Sequence, residues 1–261
     1  MKATIDGVAI EYDVRGDGPA LLLLHAFPLG LFMWDAQVEP LAATHRVVRF
    51  DARGFGGSAA EDGPLTMERI ADDGAALLDH LGIEKAVVGG CSMGGYAAFA
   101  FVRRHPERLA GLVLQDTRAG VDTAEAKANR ATLAAKVLAE GAAAAVEAFL
   151  PKLLGETTHR ERPAVVAGVR ERILATPPAA IANALHGLAA RADSRETLPT
   201  IEVPTLVLVG TEDVLTPPSE AVTMAAAIPQ ARLDVIPGAG HLANLERPDA
   251  VNAALRAFLA R

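Results

Sequence analysis

Short apolar runs alternate with longer mixed segments along the chain. Between Val8 and Val14 apolar and polar positions alternate, as on an edge strand with one buried face. Residues 21–24, 47–50, 86–88, 112–114 and 206–209 are almost continuously apolar. Strands covered on both faces have this character, and parallel sheets are covered on both faces. Residues 233–236 complete the series as a last strand. Between the runs, the pattern predicts helices near 67–81, 96–104, 219–227 and 250–259. Repeated strand–helix–strand units predict a parallel sheet flanked by helices.

The rhythm breaks between Gly120 and Pro199. This stretch is Ala-rich and helical in composition, with no convincing strand. It reads as a helical cap, residues 120–199, inserted between the sixth and seventh strands of a core formed by 1–119 and 200–261.

Composition narrows the function classes. Of the 261 residues, 51% are apolar and only 4% aromatic, so Ala, Leu and Val must fill a sizeable core. The formal net charge is −7, and no dense Lys/Arg run offsets it. Binding to nucleic acid or to an anionic membrane, which rests on such clusters, is not expected. Cys91 is the single cysteine, so no internal disulfide can form, and no Cys/His cluster has zinc-site spacing. Asp6 interrupts the start of the chain too early for a signal-peptide apolar region. The expectation is a soluble cytoplasmic protein of open oligomeric state.

The candidate chemistry centres on Gly90-Cys91-Ser92-Met93-Gly94, a G-x-S-x-G sequence between a predicted strand and a predicted helix. In that setting the serine occupies a sharp, strained turn, and the glycines remove side chains that would strike neighbouring backbone. Cys91, beside the serine, is expected to point beneath the turn as an inert buried thiol. A serine hydroxyl needs a base. His241, in Pro237-Gly238-Ala239-Gly240-His241 after the last strand, is the best placed of the seven histidines. His45, His80, His105 and His159 read as surface or helix-end residues, and His186 as a structural residue of the cap. The orienting carboxylate is expected at Asp213, in the loop after a buried strand. Asp116, also after a strand, is the rival, with a tie to Arg118 as its structural alternative. Ser92, Asp213 and His241 follow the chain order Ser, acid, His. The oxyanion donors are expected to be the backbone N–H groups of Met93 and of Phe27, in His25-Ala26-Phe27-Pro28. His25 is then structural.

With these residues in place, the chain resembles the α/β-hydrolase superfamily, in the branch of small carboxylesterases and 3-oxoadipate enol-lactonase-like enzymes. The resemblance runs nearly end to end. It also takes in Asp51-Ala52-Arg53-Gly54-Phe55-Gly56-Gly57-Ser58, which looks like the family's tight turn after the fourth strand, and Gly210-Thr211-Glu212-Asp213. Two positions depart from the common pattern, Ala26 where Gly is frequent and Cys91 where His or another residue is. The resemblance implies a mostly parallel eight-stranded sheet and a serine carboxylic-ester hydrolase working through an acyl-enzyme. Ser92 argues against the family's Asp-nucleophile dehalogenases and epoxide hydrolases. A lactonase, a cofactor-free perhydrolase and a ligand receptor on a hydrolase scaffold are the alternatives. No cofactor motif is present; Gly54, Gly56 and Gly57 do not form a dinucleotide-binding pattern. The expected substrates are small, uncharged esters with short acyl chains.

Overall fold

A computed structural model describes residues 1–260. Eight strands form one sheet in the order β1-β2-β4-β3-β5-β6-β7-β8. They are β1 (Lys2–Ile5), β2 (Val8–Arg15), β3 (Ala20–Leu24), β4 (Arg46–Phe50), β5 (Ala86–Cys91), β6 (Leu109–Gln115), β7 (Thr205–Gly210) and β8 (Ala231–Ile236). Only β2 runs against its neighbours; the pairings from β4 to β8 are all parallel. All five residues of β3 are buried, which requires cover on both faces of the sheet.

The helices are α1 (Asp35–Ala42), α2 (Met67–His80), α3 (Met93–Arg104), α4 (Ala124–Glu140), α5 (Ala143–Leu153), α6 (Glu156–Glu161), α7 (Pro163–Ala175), α8 (Pro178–Ala190), α9 (Pro218–Ala227), α10 (Ala243–Glu246) and α11 (Pro248–Leu259). In the layers on the sheet, α2 packs on α3 and α1 on α11. Helix α2 starts where Thr66 accepts a bond from Arg69 N–H, and α4 starts where Thr123 does the same for Ala126 N–H. Helices α4 to α8 lie between β6 and β7 in the chain, in the stretch where the strand rhythm stops.

Three details differ from the sequence pattern. Strand β2 is not an edge, because β1 pairs alongside it and takes that place. Four residues with alternating exposure carry too short a signal for β1 to be read alone. Helix α1 has no counterpart among the predicted helices; it is only eight residues long and contains Pro40. His45 is buried rather than superficial, beside the Thr44 hydroxyl at 2.9 Å.

Among the described residues no single helix is long and apolar enough to cross a membrane. Helices α7 and α8 together reach that length, but they are bent by 97° at their junction.

Candidate active site

Strand β5 delivers Ser92 to the carboxyl end of the sheet, and α3 starts directly after it. The turn is tight enough to hold Ser92 at φ +52°, a left-handed conformation that side chains rarely adopt. Glycine is obligatory on both sides. A Cβ on Gly90 would stand 2.0 Å from Gly94 O, and one on Gly94 would stand 2.2 Å from Leu24 O. Helix α3 therefore begins three residues earlier than its apolar periodicity indicates.

His241 and Asp213 arrive from loops after β8 and β7. His241 Nε2 lies 2.7 Å from Ser92 Oγ, and His241 Nδ1 lies 2.9 Å from Asp213 Oδ2. Asp213 is additionally fixed by the N–H groups of Leu215 and Thr216, at 2.8 and 2.9 Å, and by the Thr216 hydroxyl at 2.6 Å. Burial would raise its carboxyl, but His241 and these donors hold it below the usual carboxylate range.

Asp116 is wholly buried and is not tied to Arg118. Its oxygens accept from Gly210 N–H, Ala243 N–H and the Gln115 amide. Arg118 turns instead to Asp122. Burial first, and then the charge of Asp213, push the Asp116 carboxyl well up, against the lowering by its two N–H partners. Cys91 points beneath the turn. Its Sγ lies 3.7 Å from His241 O, and burial, reinforced by Asp116 and Asp213, pushes the thiol well up.

The N–H groups expected to meet an oxyanion border the same space. Ala26 N–H is taken by Met33 Sδ at 3.0 Å. The N–H groups of Phe27 and of Met93, the first residue of α3, have no protein acceptor among the described residues. His25 secures this loop. Ala52 N–H donates to its Nε2 at 2.9 Å, so Nδ1 carries the proton and donates to Ala26 O at 3.0 Å. Burial lowers its pKa against the pull of Asp51, which suits a neutral structural imidazole. The turn that starts at Asp51 is structural too: the carboxylate accepts from Leu31 and Gly57 N–H, at 2.7 and 2.9 Å.

Glu246 carries no signal in the sequence, where it falls between the last predicted strand and the last predicted helix. It is fully buried, and its partners are backbone N–H groups. Oε1 accepts from Gly240 and Leu242, the residues on either side of His241, at 2.9 and 3.1 Å. Oε2 accepts from Gly155, at the start of α6, at 2.8 Å. Gly240 and Gly155 approach so closely that a Cβ on Gly240 would lie 2.2 Å from Gly155 N. Glu212, next to Asp213, holds Thr157 N–H at 2.9 Å in the same short helix. Both loops that carry the polar chain are thus pinned to the inserted helices. Glu246→Gln is expected to keep the fold and lower kcat by about 10- to 100-fold, since small misplacements of a reacting group carry costs of that order. Steady-state kinetics on the folded variant tests this; an unchanged kcat would remove Glu246 from the positioning of His241.

A cavity of about 110 Å³ opens onto Ser92 and His241. Phe149 and Leu153 of α5 and Leu188 of α8 supply much of its apolar wall, with Phe27 and Leu215 from the core. Phe149 meets Phe27 edge-on, with ring centroids 5.2 Å apart. Arg118 and Arg130 line it as well. A larger cavity of about 440 Å³, bordered by Phe32, Asp51 and Arg172, lies apart from these residues.

Comparison with known proteins agrees with this architecture. The family described as alpha/beta hydrolase fold matches residues 19–248. The chain is 46% identical to a thermophilic esterase from Thermogutta terrifontis solved with malate bound, with a TM-score of 0.97 over 100% of this chain and 97% of that one. It is 32% identical to the enol-lactonase of Burkholderia xenovorans LB400, with a TM-score of 0.93 over the whole of both chains. It is also 30% identical to 3-oxoadipate enol-lactonase 2 of Acinetobacter baylyi, over 99% of this chain and 96% of the relative. A chain matched by the family over most of its length, with a Ser–His–Asp chain at the carboxyl end of an eight-stranded sheet, is a hydrolase of the alpha/beta hydrolase fold family.

Proposed function

We propose that the protein is a serine carboxylic-ester hydrolase acting on small, short-acyl esters. The observation that carries this reading is the continuous chain from Ser92 Oγ through His241 to Asp213, with links of 2.7 and 2.9 Å, at a cavity beside two unpaired N–H groups. His241 takes the Ser92 proton as Oγ attacks the ester carbonyl. The N–H groups of Phe27 and Met93 stabilise the oxyanion of the tetrahedral intermediate. His241 gives its proton to the departing alkoxide, the alcohol leaves, and an acyl-Ser92 ester remains. Water, deprotonated by the same imidazole, attacks that ester; the acid is released and Ser92 regains its proton. Asp213 holds the imidazole in the required tautomer and stabilises its cation.

Helices α4 to α8 act in this reading as the cap over the serine. The cavity of about 110 Å³ is well below the range of about 300–1,000 Å³ common for ligand pockets, which favours short acyl groups. The malate in the Thermogutta esterase is itself a small molecule. The two enol-lactonase relatives support a second reading, an enol-lactonase using the same residues. The test is a series of p-nitrophenyl esters from acetate to palmitate beside an enol-lactone. The expected result is a kcat/KM that peaks at short chains. A peak at palmitate would overturn the enclosed site, and efficient turnover of the lactone alone would replace the ester reading with the lactonase one.

A further inference from the structure

Arg118 stands between two cavities. On one side is the cavity of about 110 Å³ that holds Ser92 and His241. On the other is a cleft of about 270 Å³ between the segment that follows β6 and helix α9. Arg118 is the one described residue that lines both. Tyr96, in the wall of the first, and Glu220, in the wall of the second, both lie within electrostatic reach of its guanidinium.

The backbone on either side of Arg118 is fixed. The Thr117 hydroxyl donates to Ser92 O at 3.0 Å, and Ala119 O accepts from Ser194 N–H at 2.9 Å. The Arg118 side chain is less fully tied. It gives Asp122 Oδ1 one bond of 2.8 Å, and its Nε is buried with no partner, an uncommon state for so strong a donor. Asp122 does not depend on it, because Arg191 at 2.9 Å and Arg130 at 2.5 Å hold the same carboxylate. The far cleft suits an alkyl chain. Ala119, Leu198 and Met224 line it as buried apolar residues, whereas Arg195 is 69% exposed and pairs with Asp193. Joined, the two spaces would enter the range of about 300–1,000 Å³ common for ligand pockets.

The geometry points to Arg118 as the residue that sets the acyl-chain limit: its side chain partitions the Ser92 cavity from an apolar cleft that would otherwise extend it. This inference rests on the ester-hydrolase reading and names the residue behind its short-acyl preference. A short acyl group fits between Ser92 and the Arg118 side chain. A longer one meets that side chain end-on. The limit comes from the bulk of the side chain and not from its charge, so an uncharged residue of similar length maintains it.

The test reads the ratio of kcat/KM for p-nitrophenyl octanoate to that for the acetate. Arg118→Ala is expected to raise this ratio about tenfold or more, since each methylene group newly buried contributes a factor of about four. Arg118→Val takes its place if the alanine variant fails to fold. Arg118→Met, which keeps the length and loses the charge, should leave the ratio close to that of the unmodified protein. Thr223 is exposed and lines the far cleft, so adding Thr223→Trp to Arg118→Ala should fill that space and reverse the gain. An unchanged ratio in the folded alanine or valine variant would overturn the partition. So would a gain in Arg118→Met equal to that in Arg118→Ala, or a gain that Thr223→Trp does not reduce. Labelling of Ser92 by ethyl and octyl fluorophosphonates, in which Oγ displaces fluoride from phosphorus and His241 takes the proton, gives the same ratio without an ester. Labelling without ester turnover would refute the ester-hydrolase reading, and the octyl-to-ethyl labelling ratio would still decide the partition. No labelling at all would remove Ser92 as the nucleophile and the partition with it.

Discussion

Replacing Ser92 with alanine is expected to lower ester turnover by on the order of 10⁶-fold and to leave the fold intact. The Ser92 side chain contributes its one bond to His241, so its loss breaks no packing contact of the core. Alanine keeps the Cβ that already fits the strained turn at φ +52°. No second nucleophile can take over. The Cys91 thiol points to the opposite side of the turn, is fully buried, and is pushed away from the thiolate by burial and by its acidic neighbours. Turnover measured on purified variant, alongside circular dichroism and thermal unfolding, checks the result. A loss of less than about 100-fold, with substrate-derived label on Cys91, would reverse the assignment.

Asp213→Asn is expected to lower kcat/KM by about 10⁴-fold, because the imidazole loses both its orientation and the partner of its cation. Asp116→Asn should cost about tenfold or less in rate, and about 1–3 kcal/mol in stability for the disturbed N–H partners. The two carboxylates lie close together, yet only Asp213 bonds the imidazole. Asp116 spends its oxygens on Gly210, Ala243 and Gln115. Their protonation tendencies also part. Asp213 is held in the charged form by His241, whereas Asp116 is pushed toward the neutral form by burial and by Asp213 itself. Asp213 therefore remains ionised under conditions where Asp116 does not. Parallel kinetics on the two folded variants decides the matter, and a larger loss in Asp116→Asn would transfer the orienting role to that residue.

Much of this molecule is legible from sequence because the rules involved are short-ranged. An apolar run as brief as residues 21–24 announces a strand covered on both faces, and the glycines around Ser92 announce a turn in which a Cβ would meet backbone. The absence of strands between Gly120 and Pro199 likewise follows from local composition. Such reasoning loses hold where the signal is brief, as at the four residues of β1, or weak in periodicity, as at α1. It also stops at distances along the chain. His241 is 149 residues from Ser92, and only the loop after β8, which reaches back across the strand ends to the elbow, brings them within 2.7 Å. Glu246 is one acid among many in the sequence until folding surrounds it with the N–H groups of Gly240, Leu242 and Gly155, which make burial of its carboxylate tolerable. The same holds for the cavity wall. In the chain, Arg118 and Arg130 are two of many charges in a protein with a net charge of −7. Their positive sign reaches Ser92 because Arg118, in the segment before α4, and Arg130, on α4, meet at Asp122 and both line the cavity. Periodicity and turn chemistry are properties of neighbours in sequence; the local electrostatic field is a property of neighbours in space.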